Sequence, residues 1–157
     1  MIDTRSFSLI EVLVFTCIVS IFFIVAVAVA TVTLRTARVN QHKILATHAG
    51  EELMEWLKGE RETDWTTLSA RSGTFCFNGD LRSTWSETMT FPKNNSGACV
   101  NPNLYTGVGD ESPLIFKREL VLTPLSSNQS DVVISVSWLE LGVSYIIPIQ
   151  SRFSLWE

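Results

Sequence analysis

The stretch LIEVLVFTCIVSIFFIVAVAVATVTL, residues 9–34, decides the fold. From Val12 to Leu34 it contains no charge and no proline. As a helix rising about 1.5 Å per residue it reaches across a hydrocarbon core of about 30 Å. Glu11 stands at its mouth. An ionisable group at that edge costs free energy unless something pairs with it, so the partner of Glu11 is the question the rest of the chain has to answer.

The helical pattern does not stop at Leu34. Ile44, Leu45, Ala49, Leu53, Trp56 and Leu57 recur at three- and four-residue intervals, while Asn40, Lys43, Thr47, Glu51 and Lys58 fall on another face. The two halves read as one rod, apolar all round in residues 7–34 and apolar on one stripe in residues 35–61. From Phe7 to Leu57 it would measure on the order of 75 Å. Gly59 is the expected terminator and Gly50 a weak point within the rod.

The last part of the chain, residues 114–157, reads as β. Val132, Ile134, Val136 and Trp138 alternate with Val133, Ser135 and Ser137, the pattern of a strand with one face buried. LIFKRELVL, residues 114–122, is a second apolar run between Pro113 and Pro124, and SSNQS makes the loop that follows. After ELG the chain returns through Val143, Tyr145, Ile147 and Ile149, with Pro148 marking an edge strand or a break. A long helix laid by its stripe on an antiparallel sheet of three or four strands buries both apolar faces, an α+β arrangement. Residues 62–113 read as a variable, loop-rich region.

The formal net charge is −4, and no cluster of Lys and Arg is present, so nucleic-acid binding through a basic patch is disfavoured. His42 and His48, six residues apart, fall on different faces of a helix, unlike metal ligands at four-residue spacing. Phosphate-loop, nucleophile-elbow and zinc-ligand patterns are all missing, and so is EF-hand spacing around GERETDW at 59–65. The expectation is a protein that is not an enzyme, with no catalytic residue, no metal and no cofactor. Asn94-Asn95-Ser96 and Asn128-Gln129-Ser130 fit the glycosylation acceptor pattern, which is common by chance.

Cys17 lies inside the apolar run, where a thiol behaves as a small hydrophobe. Cys76 and Cys99 flank a polar, turn-rich stretch. Two readings stand for them. They form a disulfide worth roughly 3 kcal/mol if this part of the chain lies outside the cytoplasm, or they are two unrelated reduced thiols.

Three readings also stand for the N-terminal segment. A cleaved signal peptide has suitable small-residue sites at Ala26-Val27-Ala28 and Ala28-Val29-Ala30, but its apolar core is shorter, about 7–15 residues. A plain single-pass anchor explains the length and leaves Glu11 unexplained. The third reading comes from SFSLIEVLVF, which resembles the start of a type IV prepilin. That signature is a short polar leader, then Phe, Ser or Thr, Leu, an aliphatic residue and Glu, followed by an unbroken apolar helix. Phe7, Ser8, Leu9, Ile10 and Glu11 match it position for position, with Ser6 where the family usually has Gly.

The resemblance implies a pilin-like fold and a leader, residues 1–6, removed by a prepilin peptidase between Ser6 and Phe7, with methylation of the new amine. It implies assembly of the apolar helices into a filament, in which Glu11 pairs with the ammonium of Phe7 from a neighbouring subunit or from its own chain. The partners so implied are other pilin or pseudopilin subunits, the peptidase and the bacterial inner membrane, with the C-terminal domain outside the cytoplasm. Arg35, Arg38 and Lys43 after the helix vote for the opposite topology by the positive-inside rule; the resemblance and the cysteine pair together outweigh them. DVVISVSWLELGVSYIIPIQSRFSLW, residues 131–156, also resembles the closing strands of minor pilins and pseudopilins. The expected function is therefore a minor pilin or pseudopilin; the alternative is a membrane-tethered exported binding domain that never assembles.

Overall fold

A computed structural model of the chain describes residues 8–82, 84–90, 94–100 and 115–155. The chain divides into two compact units, Met1–Gln41 and His42–Glu157. Helix α1, Leu9–Thr63, starts in the first and ends in the second. Within the first unit the described residues from Leu9 to Gln41 are all helical, with apolar side chains exposed on every side.

In the second unit α1 is followed by the short helix α2, Trp65–Ser69, strand β1, Gly73–Phe77, helix α3, Trp85–Thr90, and strand β2, Asn94–Ser96. Three long strands close it: β3, Phe116–Ser126, β4, Gln129–Glu140, and β5, Val143–Ser154. Together they make one five-stranded sheet in the order β2-β1-β3-β4-β5, every pairing antiparallel. The α+β architecture expected from the patterning is present, with more strands than the three or four anticipated. The additional strands β1 and β2 come from residues 62–113, whose short apolar runs carry too little periodicity to announce them.

The alternation in β4 translates directly into burial. Val132, Ile134, Val136 and Trp138 face the core, joined by Phe116, Leu120 and Leu122 of β3 and Phe153 of β5. Ala46, Ala49, Leu53, Met54 and Leu57 of α1 complete the same core. The stripe is thus shifted from its sequence reading: Ile44 and Leu45 are exposed, and Ala46, Gly50 and Met54 are buried in their stead. Gly50 is a contact position, not a weak one. A Cβ built there would collide with Ile149 Cδ1, so glycine lets the helix lie close on β5.

Nor does α1 end at Gly59. Its last turn is held by contacts made outside the helix: the Arg61 guanidinium lies over the Phe153 ring, 5.3 Å from its centre, and Glu60 Oε2 accepts from the Trp85 backbone N–H at 3.0 Å. Such contacts exceed the cost of about 1 kcal/mol for an internal glycine. Asp64 then caps α2, accepting from Thr67 N–H at 3.0 Å. Pro148 sits in β5, which is an edge strand, as the missing N–H requires. β3 runs through Pro124 and loses register only between Pro124 and Ser126.

Candidate functional site

Ser8 and Glu11 open α1 as a reciprocal cap. The Ser8 carbonyl accepts from the backbone N–H groups of Glu11 at 3.0 Å and Val12 at 3.3 Å. In return, the Ser8 N–H donates to Glu11 Oε2 at 3.2 Å. A Glu three residues after a Ser N-cap is the capping-box spacing, and a carboxylate in the first turn also meets the positive end of the helix dipole. In a single chain, then, Glu11 already has a partner, and it is local. Ser6 and Phe7, the expected processing positions, lie outside the described residues.

Beyond the cap, α1 is long and apolar enough to cross a membrane. Its hydroxyls are consistent with that. Thr16 donates to Leu13 O at 2.9 Å, Ser20 to Thr16 O at 2.7 Å, Thr31 to Ala28 O at 2.8 Å, and Thr33 to Val29 O at 2.9 Å. Each polar group is satisfied within its own helix, the condition for residing in hydrocarbon. Cys17 is an exposed free thiol.

In the second unit Cys76 and Cys99 are joined in a disulfide, with their Cα atoms 4.9 Å apart. Cys76 belongs to β1, and the Cys99 N–H donates to Glu119 Oε1 of β3 at 2.7 Å. The bridge therefore ties the segment after β2 to the middle of the sheet. Of the two readings of these cysteines, the bonded one is found.

The sequence reading missed Arg118. It occupies an inward position of β3, between Phe116 and Leu120, and is 1% exposed. Its Nε donates to Phe77 O at 2.8 Å, and its terminal nitrogens donate to Ala49 O at 3.1 Å, Glu52 Oε2 at 2.8 Å and Gly79 O at 3.4 Å. One side chain thus fastens α1, the end of β1 and β3 together. Burial pulls the guanidinium below the ordinary arginine range, and the charge and hydrogen bond of Glu52 oppose that. The signal was legible: a charge at the inward phase of a period-2 strand has to be paired.

His42 Nδ1 lies 3.0 Å from Glu140 Oε2, and its ring meets the edges of Phe116 and Trp138. His48 is exposed, 3.6 Å from Glu51. The two histidines take part in different environments, each as a packing or surface residue. Asn94 of the first acceptor triplet is buried, its Oδ1 accepting from Gly79 N–H at 2.6 Å and its Nδ2 donating to Thr88 O at 2.7 Å and Asp80 O at 3.1 Å. That amide is a tertiary node closed to a glycan.

On the surface, Arg152 of β5 grips Asp131 of β4 with two hydrogen bonds, 2.7 and 3.2 Å. These hydrogen bonds hold the Asp131 carboxyl below the usual carboxylate range and raise Arg152. Asp64 is lowered too, chiefly by the Thr67 hydroxyl. No family model, no curated protein and no solved structure matches the chain.

Proposed function

We propose that the chain is a structural subunit, a minor pilin or pseudopilin of a type IV pilus-like filament, anchored and assembled through the apolar part of α1. The observation that carries this is a lone carboxylate, Glu11, in the first turn of a helix whose following residues from Val12 to Leu34 carry no charge and expose apolar side chains on every side. The prepilin-like run from Phe7 to Glu11 supports it, as does the Cys76–Cys99 bridge, which suits an oxidising compartment. On this reading a peptidase cuts between Ser6 and Phe7, the domain lies outside the cytoplasm, and the new Phe7 ammonium pairs with Glu11 in the filament. The pair sets the register in which subunits add, because either charge left alone in a low dielectric is costly.

The reciprocal Ser8–Glu11 cap favours a second reading, in which Glu11 only starts the helix of a tethered, non-assembling domain. Intact mass with N-terminal sequencing of envelope protein tests the first: a chain beginning at Phe7 and heavier by one methyl supports processing, and a chain retaining Met1 opposes it. Two substitutions then separate the readings. Glu11→Gln keeps a side chain that can cap but carries no charge. On the tethered reading neither the wild type nor a variant enters filaments, and only Glu11→Val loosens the helix start; on the charge-pairing reading the wild type enters filaments and both variants are excluded.

A further inference from the structure

We infer that Pro148 guards the free edge of β5, keeping a second copy of the chain from extending the sheet with its own β5. The inference concerns the His42–Glu157 unit alone and holds whether α1 assembles into a filament or only tethers the chain.

Among the described residues the sheet ends on β2 at one side and β5 at the other. An edge strand offers a row of unpaired N–H and C=O groups, a template for another chain. β2 offers little of one, since it spans only Asn94–Ser96. β5 is different: it runs for 12 residues with no break in its register against β4. Its stretch VSYIIPIQS, residues 143–151, carries no charge and is rich in residues that favour strands. Segments of that composition pair with copies of themselves unless something interrupts them. Short length, a bulge and lysine are the ordinary interruptions, and β5 has none of them. Its one charge, Arg152, is spent on Asp131 of β4. Pro148 is the interruption that remains.

The register shows which way the proline faces. Glu140 and Val143 flank the two-residue turn Leu141-Gly142, and such a turn is closed by hydrogen bonding between its flanking residues. Bonded and non-bonded pairs then alternate along an antiparallel ladder. The odd-numbered residues from Val143 to Phe153 therefore bond to β4, and the even-numbered ones turn their N–H and C=O groups to the free edge. Pro148, opposite Ser135, is of the second kind. Its ring takes nothing from the ladder with β4 and removes a donor from the middle of the free edge. Ser144, Ile146, Pro148, Gln150 and Arg152 are all exposed, so no described residue covers this edge. Two β5 strands meeting antiparallel about a two-fold axis at Pro148 would set Ile146 against Gln150 and Pro148 against its own copy. That central pair lacks both donors, and each ring stands against the carbonyl of the other. Sliding the register only brings a different carbonyl against the ring.

Residue-resolved amide hydrogen exchange and sedimentation of the full chain in detergent micelles, over a series of protein concentrations, test the guard. Each variant is compared with the wild type at the same concentration, so that association through α1 cancels. In the wild type the Ile146 and Gln150 amides should exchange at least about tenfold faster than those of Ile147 and Ile149 at every concentration. This first measurement needs no variant, and protection of Ile146 and Gln150 equal to that of their neighbours would show the edge already covered and overturn the inference. Pro148→Thr restores the missing donor at an exposed position. It should slow exchange at Ile146 and Gln150 at least about tenfold as concentration rises, with a matching rise in dimers or larger species. Adding Gln150→Pro to Pro148→Thr moves the proline to the next free-edge position and should return both Ile146 exchange and sedimentation to the wild-type values. A Pro148→Thr chain that exchanges and sediments like the wild type throughout overturns the guard. Association that persists in the double variant assigns it to the threonine side chain instead of the edge, and overturns it as well.

Discussion

Arg118 shows how much one side chain decides. Its hydrogen bonds replace water that a buried guanidinium cannot keep, and they end on backbone carbonyls of elements distant in sequence. Arg118→Met should therefore cost about 3 kcal/mol in denaturant unfolding, and Arg118→Lys nearly as much, because a lysine cannot reproduce the planar fork. Glu52→Gln should cost less than about 1 kcal/mol, since the Glu52 side chain is 65% exposed; equal losses at the two positions would show that the ion pair, not the carbonyl contacts, holds the node. Asp131 gives the pH dependence its sign. Its folded pKa lies below the ordinary 3.8 because Arg152 stabilises the carboxylate, so the contribution is complete above that value and is lost as pH falls through the lower, folded one. Melting curves taken from neutral pH down to acid should fall less steeply for Asp131→Asn than for the wild type.

Among the elements, α1 carries two sets of instructions. Its residues up to Leu34 expose apolar side chains all round, while from Ala46 to Leu57 a narrow apolar stripe meets the sheet. Gly50 is the point of nearest approach, and its effect is coupled to Ile149. Alanine is worth up to about 1 kcal/mol more than glycine in a helix interior, but in the wild-type background it forces Ile149 out of its rotamer at a cost of about 0.5–1.5 kcal/mol. Gly50→Ala should thus be close to neutral alone and stabilising, by about 1 kcal/mol more, in an Ile149→Val background that lacks the clashing Cδ1. An additive double-mutant cycle would show that the helix simply shifts away.

At the scale of the whole molecule, the unit from His42 onward is small, and the disulfide closes a loop of sequence separation 23 across β1, α3 and β2. Reducing it in the full chain should lower stability by about 3 kcal/mol, read as a shift of the denaturant midpoint with and without reductant; an unchanged midpoint would mean that the short strands hold without it. What the sequence by itself determined follows from periodicity. A continuous apolar run with a carboxylate at its first turn, a helix that goes on into a stripe, and strands of strict alternation such as Val132 to Trp138 each have one low-energy way to bury or satisfy their side chains, whatever surrounds them. The tertiary structure decided the rest, because those outcomes depend on partners far along the chain. Helix α1 passes Gly59 only because Phe153 and Trp85 hold its last turn, and Gly50 became a contact only because Ile149 lies against it. β1 exists as a strand only because β3 offers it an edge, and β2 only because β1 in turn offers one. Arg118 is buried only because carbonyls from β1 and α1 converge on it, and local propensity contains no term for any of these encounters.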